Sequence, residues 1–171
     1  MRKLGISSKE INIKNAVSQH FADIGHDPAV HNATYENAQA RERTQVLMDI
    51  ANAEGALVVG TGDLSELALG WATYCGDQMS MYGVNAGIPK TLVRYLVKYA
   101  AENIFGERTR EILLDIVDTP VSPELLPTDE DGNIAQKTED KVGPYELHDF
   151  YMYYFLRYGF TREKIAYMAG I

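Results

Sequence analysis

The turn Gly60-Thr61-Gly62-Asp63-Leu64-Ser65-Glu66 is where residue types and spacing come closest to chemistry. Two glycines allow close backbone approach, Thr61 offers a hydroxyl, and Glu66 puts a carboxylate at the opening of the next helix. A hard cation wants such an oxygen, and Mg²⁺ is usually held by one or two carboxylates together with substrate phosphates. The competing explanation is an ordinary strand-to-helix turn whose acidic first turn the helix dipole favours. Lys90, after Gly87-Ile88-Pro89, stands at a helix start, where a cation is disfavoured unless an anion sits nearby, so it points toward phosphate. Asn37, Arg41 and Gln45 recur every four residues and share one helix face. An arginine there can fork onto a phosphate or carboxylate while the asparagine amide reads a donor and acceptor pair, or the face is simply solvated. Trp71-Ala72-Thr73-Tyr74 sets two rings where a helix gives way to a loop, which suits stacking on a flat ring unless Trp71 is core. Ser122, between Pro120 and Pro123, is a rigidified hydroxyl that says little by itself.

The elements that must position these groups follow from periodicity and capping. Lys9 to Ile13 alternates apolar and polar residues and predicts a short strand, and Ala16, Phe21 and Ile24 predict a helix stopped by Gly25. Asn32 to Glu54 holds neither Gly nor Pro and predicts the longest helix, capped by Asn32 or Thr34 and ended by Gly55. Ala56-Leu57-Val58-Val59-Gly60 is a continuous apolar run, the pattern of a central strand buried on both faces of a parallel sheet. Asp63 or Thr61 can cap the short helix that follows, and the residues just after Val59 should face a site, since ligands sit outside the carboxyl ends of parallel strands. Loop signals run from Cys75 to Pro89. Helices are predicted over Lys90 to Phe105 and from about Glu107 to Val117. Asp118 to Gly143, with Pro120, Pro123, Pro127 and Asp129-Glu130-Asp131, reads as a long functional or mobile loop. The aromatic stretch Tyr145 to Tyr158 reads as core and subunit contact, and Thr161 caps a terminal helix from Arg162 to Ala169.

Composition narrows the functional classes. The chain has 171 residues, 46% hydrophobic and 23% charged, which suits one soluble domain with a core. Its 16 basic and 24 acidic residues give a charge of -8, so no basic field is available to hold a nucleic-acid backbone. The single cysteine, Cys75, closes no intrachain disulfide and fits a reducing compartment, with the cytoplasm as the expected location. No stretch approaches the roughly 18 apolar residues of a membrane span, and no targeting segment is visible. The four histidines lack HExxH spacing, which leaves a zinc hydrolase unsupported. The doubly buried strand needs neighbours on both edges that the chain barely supplies, so the expected architecture is incomplete.

Four ordered blocks together resemble the synthetase domain of glutamine-dependent NAD⁺ synthetases: Thr34 to Arg43, Val58 to Asp77, Asn85 to Leu92, and Lys137 to Asp140 followed by Gly143-Pro144-Tyr145. The resemblance covers nearly the whole chain, residues 1–171 as a partial synthetase domain, and is to the bacterial glutamine-using branch. It implies an α/β fold, a helix-rich fragment of a Rossmann-like ATP-pyrophosphatase (adenine nucleotide alpha-hydrolase-like) with a parallel sheet. It also implies ATP-driven amidation of deamido-NAD (nicotinic acid adenine dinucleotide) through an adenylated intermediate, with ATP and Mg²⁺ required. Thr61 and Lys90 would contact ATP, with Ser122 at a further family hydroxyl position. Glu66 would serve Mg²⁺ and deamido-NAD, and Asn37, Arg41, Trp71, Ala72, Thr73 and Tyr74 would contact deamido-NAD.

The implied partners are a glutaminase domain supplying ammonia and further copies in a homo-oligomer, with neither nucleic acid nor membrane. The family's Ser-Gly-Gly-x-Asp-Ser phosphate loop and basic C-terminal tail do not occur here, so this piece alone is expected not to make NAD⁺. Another amide ligase of the same superfamily, or a noncatalytic helical assembly module, stands as the alternative.

Overall fold

The computed structural model describes residues 4–76, 78–119 and 138–170. Helix α1 (Lys14–Ile24) buries Val17 and Phe21, one turn apart, against α2 (Ala33–Glu54). Phe21 stacks on Tyr35 with ring centroids 5.5 Å apart, and burying a side chain of this size contributes roughly 1.5–3 kcal/mol. Gly25 ends α1 in the left-handed region at φ 68°, where its N–H and that of His26 satisfy late carbonyls. Asn32 starts α2 as expected: its Oδ1 accepts from the Thr34 and Tyr35 amides at 2.9 and 3.2 Å. The strand expected over Lys9 to Ile13 is not formed. Those residues pair with no other strand among the described residues, Ile11 is exposed, and alternation without a partner leaves the backbone nothing to bond.

Strand β1 (Val59–Gly60) pairs in parallel with β2 (Tyr82–Gly83), Val59 opposite Tyr82 and Gly60 opposite Gly83. This corrects the expectation of a strand buried on both faces from Ala56 to Gly60. Only two residues join the ladder, and Leu57 and Val59 are 59% and 53% exposed. The apolar run encodes what such a strand needs, but among the described residues it is bonded along one edge only. Gly60 is required where the backbones close up: a Cβ there would fall 2.7 Å from the Ser80 Cβ.

Helix α3 (Leu64–Leu69) follows β1 directly, and α4 (Lys90–Asn103) packs on α5 (Glu107–Asp118) in the most extensive helix contact of the structure. Helix α6 (Glu139–Val142) lies inside the segment read as a long loop. Helix α7 (Tyr145–Met152) packs against both α3 and α4 and runs on into a π-helical turn, Tyr153–Arg157, before α8 (Arg162–Ala169). The aromatic stretch divides. Tyr145 is buried, whereas Tyr153, Phe155 and Tyr158 are exposed. Among the described residues, no helix is long and apolar enough to cross a membrane.

Candidate functional site

Glu66 reaches the site because α3 starts on a capping box. Asp63 Oδ1 accepts the Glu66 N–H at 2.9 Å, and Glu66 Oε2 accepts the Asp63 N–H at 3.1 Å. The Leu64 amide donates to the Ile88 carbonyl at 3.0 Å, which draws the start of α3 to the segment leading into α4. Lys90, the first residue of α4, then reaches both carboxylates: its Nζ lies 2.8 Å from Asp63 Oδ2 and 2.7 Å from Glu66 Oε1. The sequence places a cation at a disfavoured helix start, and the structure supplies its counter-anions from within the chain.

The lysine is held firmly. Burial alone would lower its pKa, but hydrogen bonds and charges from Glu66 and Asp63 outweigh that and keep the ammonium above its ordinary value. Its Nζ also lies 5.2 Å from the centre of the Tyr145 ring. Burial raises the pKa of that phenol, with Lys90 opposing and the nearby carboxylates adding.

A cleft of about 310 Å³ opens over this cluster and is lined by Thr61, Asp63, Glu66, Ala72, Lys90 and Arg94 among others. Thr61, Glu66 and Lys90 therefore share one cavity at the carboxyl end of β1, where the parallel-strand rule places a ligand. Asp63 and Glu66 each give one oxygen to the capping box and the other to Lys90, but the Asp63 side chain is only 6% exposed. Glu66, at 28%, is the more accessible oxygen donor. No group of three or more His, Cys, Asp or Glu fit to hold a metal occurs among the described residues. A single accessible carboxylate is the kind of donor that holds a hard cation together with substrate phosphates rather than alone.

The other candidates form a second group on the loop after α3. Thr73 Oγ1 donates to Asn37 Oδ1 at 3.2 Å, and Arg41 Nε donates to the Tyr74 carbonyl at 3.0 Å. The shared helix face is thus not merely solvated: two of its polar residues dock this loop. Gly76 is buried in the same turn, where a Cβ would lie 2.9 Å from the Thr73 Cβ. Trp71 and Tyr74 are 40% and 76% exposed, so Trp71 is not core. Ala72 lines the cleft, so the Trp71 to Tyr74 segment borders both groups. Ser122 lies outside the described residues.

Sequence reasoning gave Asp63 only a capping role, named Ser65 and Tyr145 without a role at the site, and did not single out Arg94 or Asp149. The D-x-x-E spacing of a capping box was a usable signal for Asp63. The spacing from Lys90 to Arg94, one helical turn, was another.

A parallel strand pair, a tight glycine turn and a capped helix that delivers Glu66 into a cleft define the class, a helix-rich α/β protein, and its likeness to solved NAD synthetases gives it the Rossmann-like ATP-pyrophosphatase fold. The chain belongs to the NAD synthase family, whose model matches residues 1–169. It is 48% identical to a glutamine-dependent NAD(+) synthetase of Mycobacterium tuberculosis (strain ATCC 25618 / H37Rv), over 98% of this chain and 25% of that protein. The chain thus spans about a quarter of the length of that relative. Among solved structures, NMN synthetase from Francisella tularensis aligns with a TM-score of 0.70 at 24% identity, over 97% of this chain and 62% of the other. Glutamine-dependent NAD+ synthetase from Acinetobacter baumannii in complex with adenosine diphosphate aligns with a TM-score of 0.61 at 25% identity, over 96% and 27%.

Proposed function

We propose that this chain provides part of the ATP and deamido-NAD walls of an NAD⁺ synthetase. One observation carries the reading: Thr61, Glu66 and Lys90, apart in sequence, converge on a single cleft beyond β1 in a chain whose family match spans nearly its whole length. In the proposed reaction the nicotinate carboxylate of deamido-NAD attacks the α-phosphorus of ATP and pyrophosphate leaves. Ammonia then attacks the acyl carbon, giving the amide and releasing AMP. In this reading the ammonia comes from glutamine, which fits relatives that are glutamine-dependent NAD(+) synthetases.

Lys90 holds phosphate oxygens in this reading, exchanging contact with Asp63 and Glu66 for the nucleotide. Thr61 adds a hydroxyl beside the phosphates. Glu66 is the residue that would hold a Mg²⁺, and the ion would supply charge neutralisation for the departing pyrophosphate. Asn37 and Arg41 position the loop from Trp71 to Tyr74, whose exposed rings offer a flat partner to the nicotinate. Exposed apolar side chains along α4, Leu92, Tyr95, Leu96 and Tyr99, support self-association, and the free thiol of Cys75 supports a cytoplasmic location.

The test is calorimetric titration of the full-length protein with ATP and with deamido-NAD, together with an assay of NAD⁺ formation from the two plus ammonia. Saturable heats and product are expected. Absence of both, or amidation only of a carboxylate other than deamido-NAD, overturns the reading.

A further inference from the structure

A buried carboxylate that the proposed reaction never touches lies directly behind the cleft. Asp149, on α7, is 7% exposed, and Ser65, on α3, is fully buried at 0%. Asp149 Oδ1 accepts the Ser65 hydroxyl at 2.5 Å, and its Oδ2 accepts both the amide and the hydroxyl of Thr91, at 2.9 and 2.6 Å. Ser65 Oγ in turn accepts the Lys90 amide at 2.8 Å. One carboxylate therefore ties the first turns of α3 and α4 to α7, and a hydroxyl relays it to the backbone of Lys90.

This arrangement answers a local deficiency. The residue before α4 is Pro89, which has no side chain able to cap, and no side-chain cap bond is made there from within the helix. The free amides of Lys90 and Thr91 would be orphaned on the buried side. Ser65 and Asp149 supply the missing acceptors from two other elements, and the negative charge of Asp149 complements the positive end of the dipole there.

We infer that Asp149 is a positioning residue for Lys90, setting through Ser65 and Thr91 the point from which the ammonium reaches into the cleft. The inference rests on Lys90 being the phosphate-binding residue. Asp149→Asn would keep the shape but lose the charge and turn an amide NH₂ onto groups that now donate to a carboxylate oxygen. A misplaced Lys90 would then meet ATP in the wrong place while the loop at Thr73 and Tyr74 stayed as it was.

The experiment is steady-state kinetics of the full-length protein, varying ATP and deamido-NAD separately, with Asp149→Asn, Lys90→Met and the double variant. Asp149→Asn is expected to lower kcat/KM for ATP about tenfold, the scale of one charge-assisted hydrogen bond, with the deamido-NAD KM changed by less than about twofold. In the Lys90→Met background the same substitution should add less than about twofold, because its target is gone. Ser65→Ala, which breaks the relay but leaves Asp149 on Thr91, is expected to act in the same direction by about threefold and carries the test if Asp149→Asn does not fold. If Lys90→Met impairs ATP use but Asp149→Asn acts equally with and without Lys90, or both Km values move together, the positioning role is overturned and the ATP reading stands. If Lys90→Met leaves ATP dependence unchanged, the ATP reading falls and this role falls with it.

Discussion

The two walls of the site are built by different means. On the side of Glu66 and Lys90, two ion-pair contacts, a reciprocal cap and the buried Ser65 and Asp149 lock three helices together. On the side of Trp71 to Tyr74, a loop is docked onto α2 by single hydrogen bonds from Thr73 and Arg41, and its rings lie open to solvent. A preorganised charge cluster suits a ligand whose charge must be stabilised without reorganisation, while a lightly held loop suits one that is gripped on arrival.

The sharpest way to break this contrast is Glu66→Gln. Glutamine can still complete the capping box, so α3 should persist, but the charge shared with Lys90 is lost. NAD⁺ formation by the full-length protein is expected to fall about 100-fold, with thermal unfolding little changed. Comparable loss in both would show that the cluster is structural only. Gly76→Ala acts on the opposite wall. The new methyl meets Thr73 at 2.9 Å and pushes it from Asn37, so the deamido-NAD KM should rise about three- to tenfold while the ATP KM holds. A rise in both would mean that the walls are not independent.

The smallest effect is a pH dependence. Lys90 titrates higher in the folded protein than its ordinary 10.5, so its contribution to stability is complete below that value and is lost as pH rises through the folded one. Denaturation midpoints measured from pH 9.5 to about 11.5 should therefore decline more steeply in the wild type than in Lys90→Met. Equal slopes would show that Lys90 gains nothing from its partners.

Much of the local architecture was legible in the sequence because caps and glycine stops act within a few residues. Asn32, Gly55, Asp63 and Thr161 all do what their positions suggested. The strand Ala56 to Gly60 was legible in type but not in setting, since an apolar run states a demand for cover without saying what provides it. Lys9 to Ile13 failed for the related reason that alternation names no partner. Thr61, Glu66 and Lys90 could each be picked out by type and spacing, but only the family resemblance placed them together at one nucleotide, because spacing alone does not say that two distant turns meet. Asp149 gave no signal at all: it is 84 residues from Ser65 and 58 from Thr91, and only the tertiary fold brings an aspartate in an aromatic stretch to a helix start that lacks a cap.

The capping box at Asp63 and Glu66 joins folding to occupancy. Glu66 spends one oxygen on the Asp63 amide and the other on Lys90. A cation that claims this carboxylate competes with the Asp63 N–H and the Lys90 ammonium for its lone pairs, so the first turn of α3 would respond to its arrival. The Asp63 amide resonance and its hydrogen-exchange rate would register an arriving ion from inside the polypeptide, without a label and before any turnover.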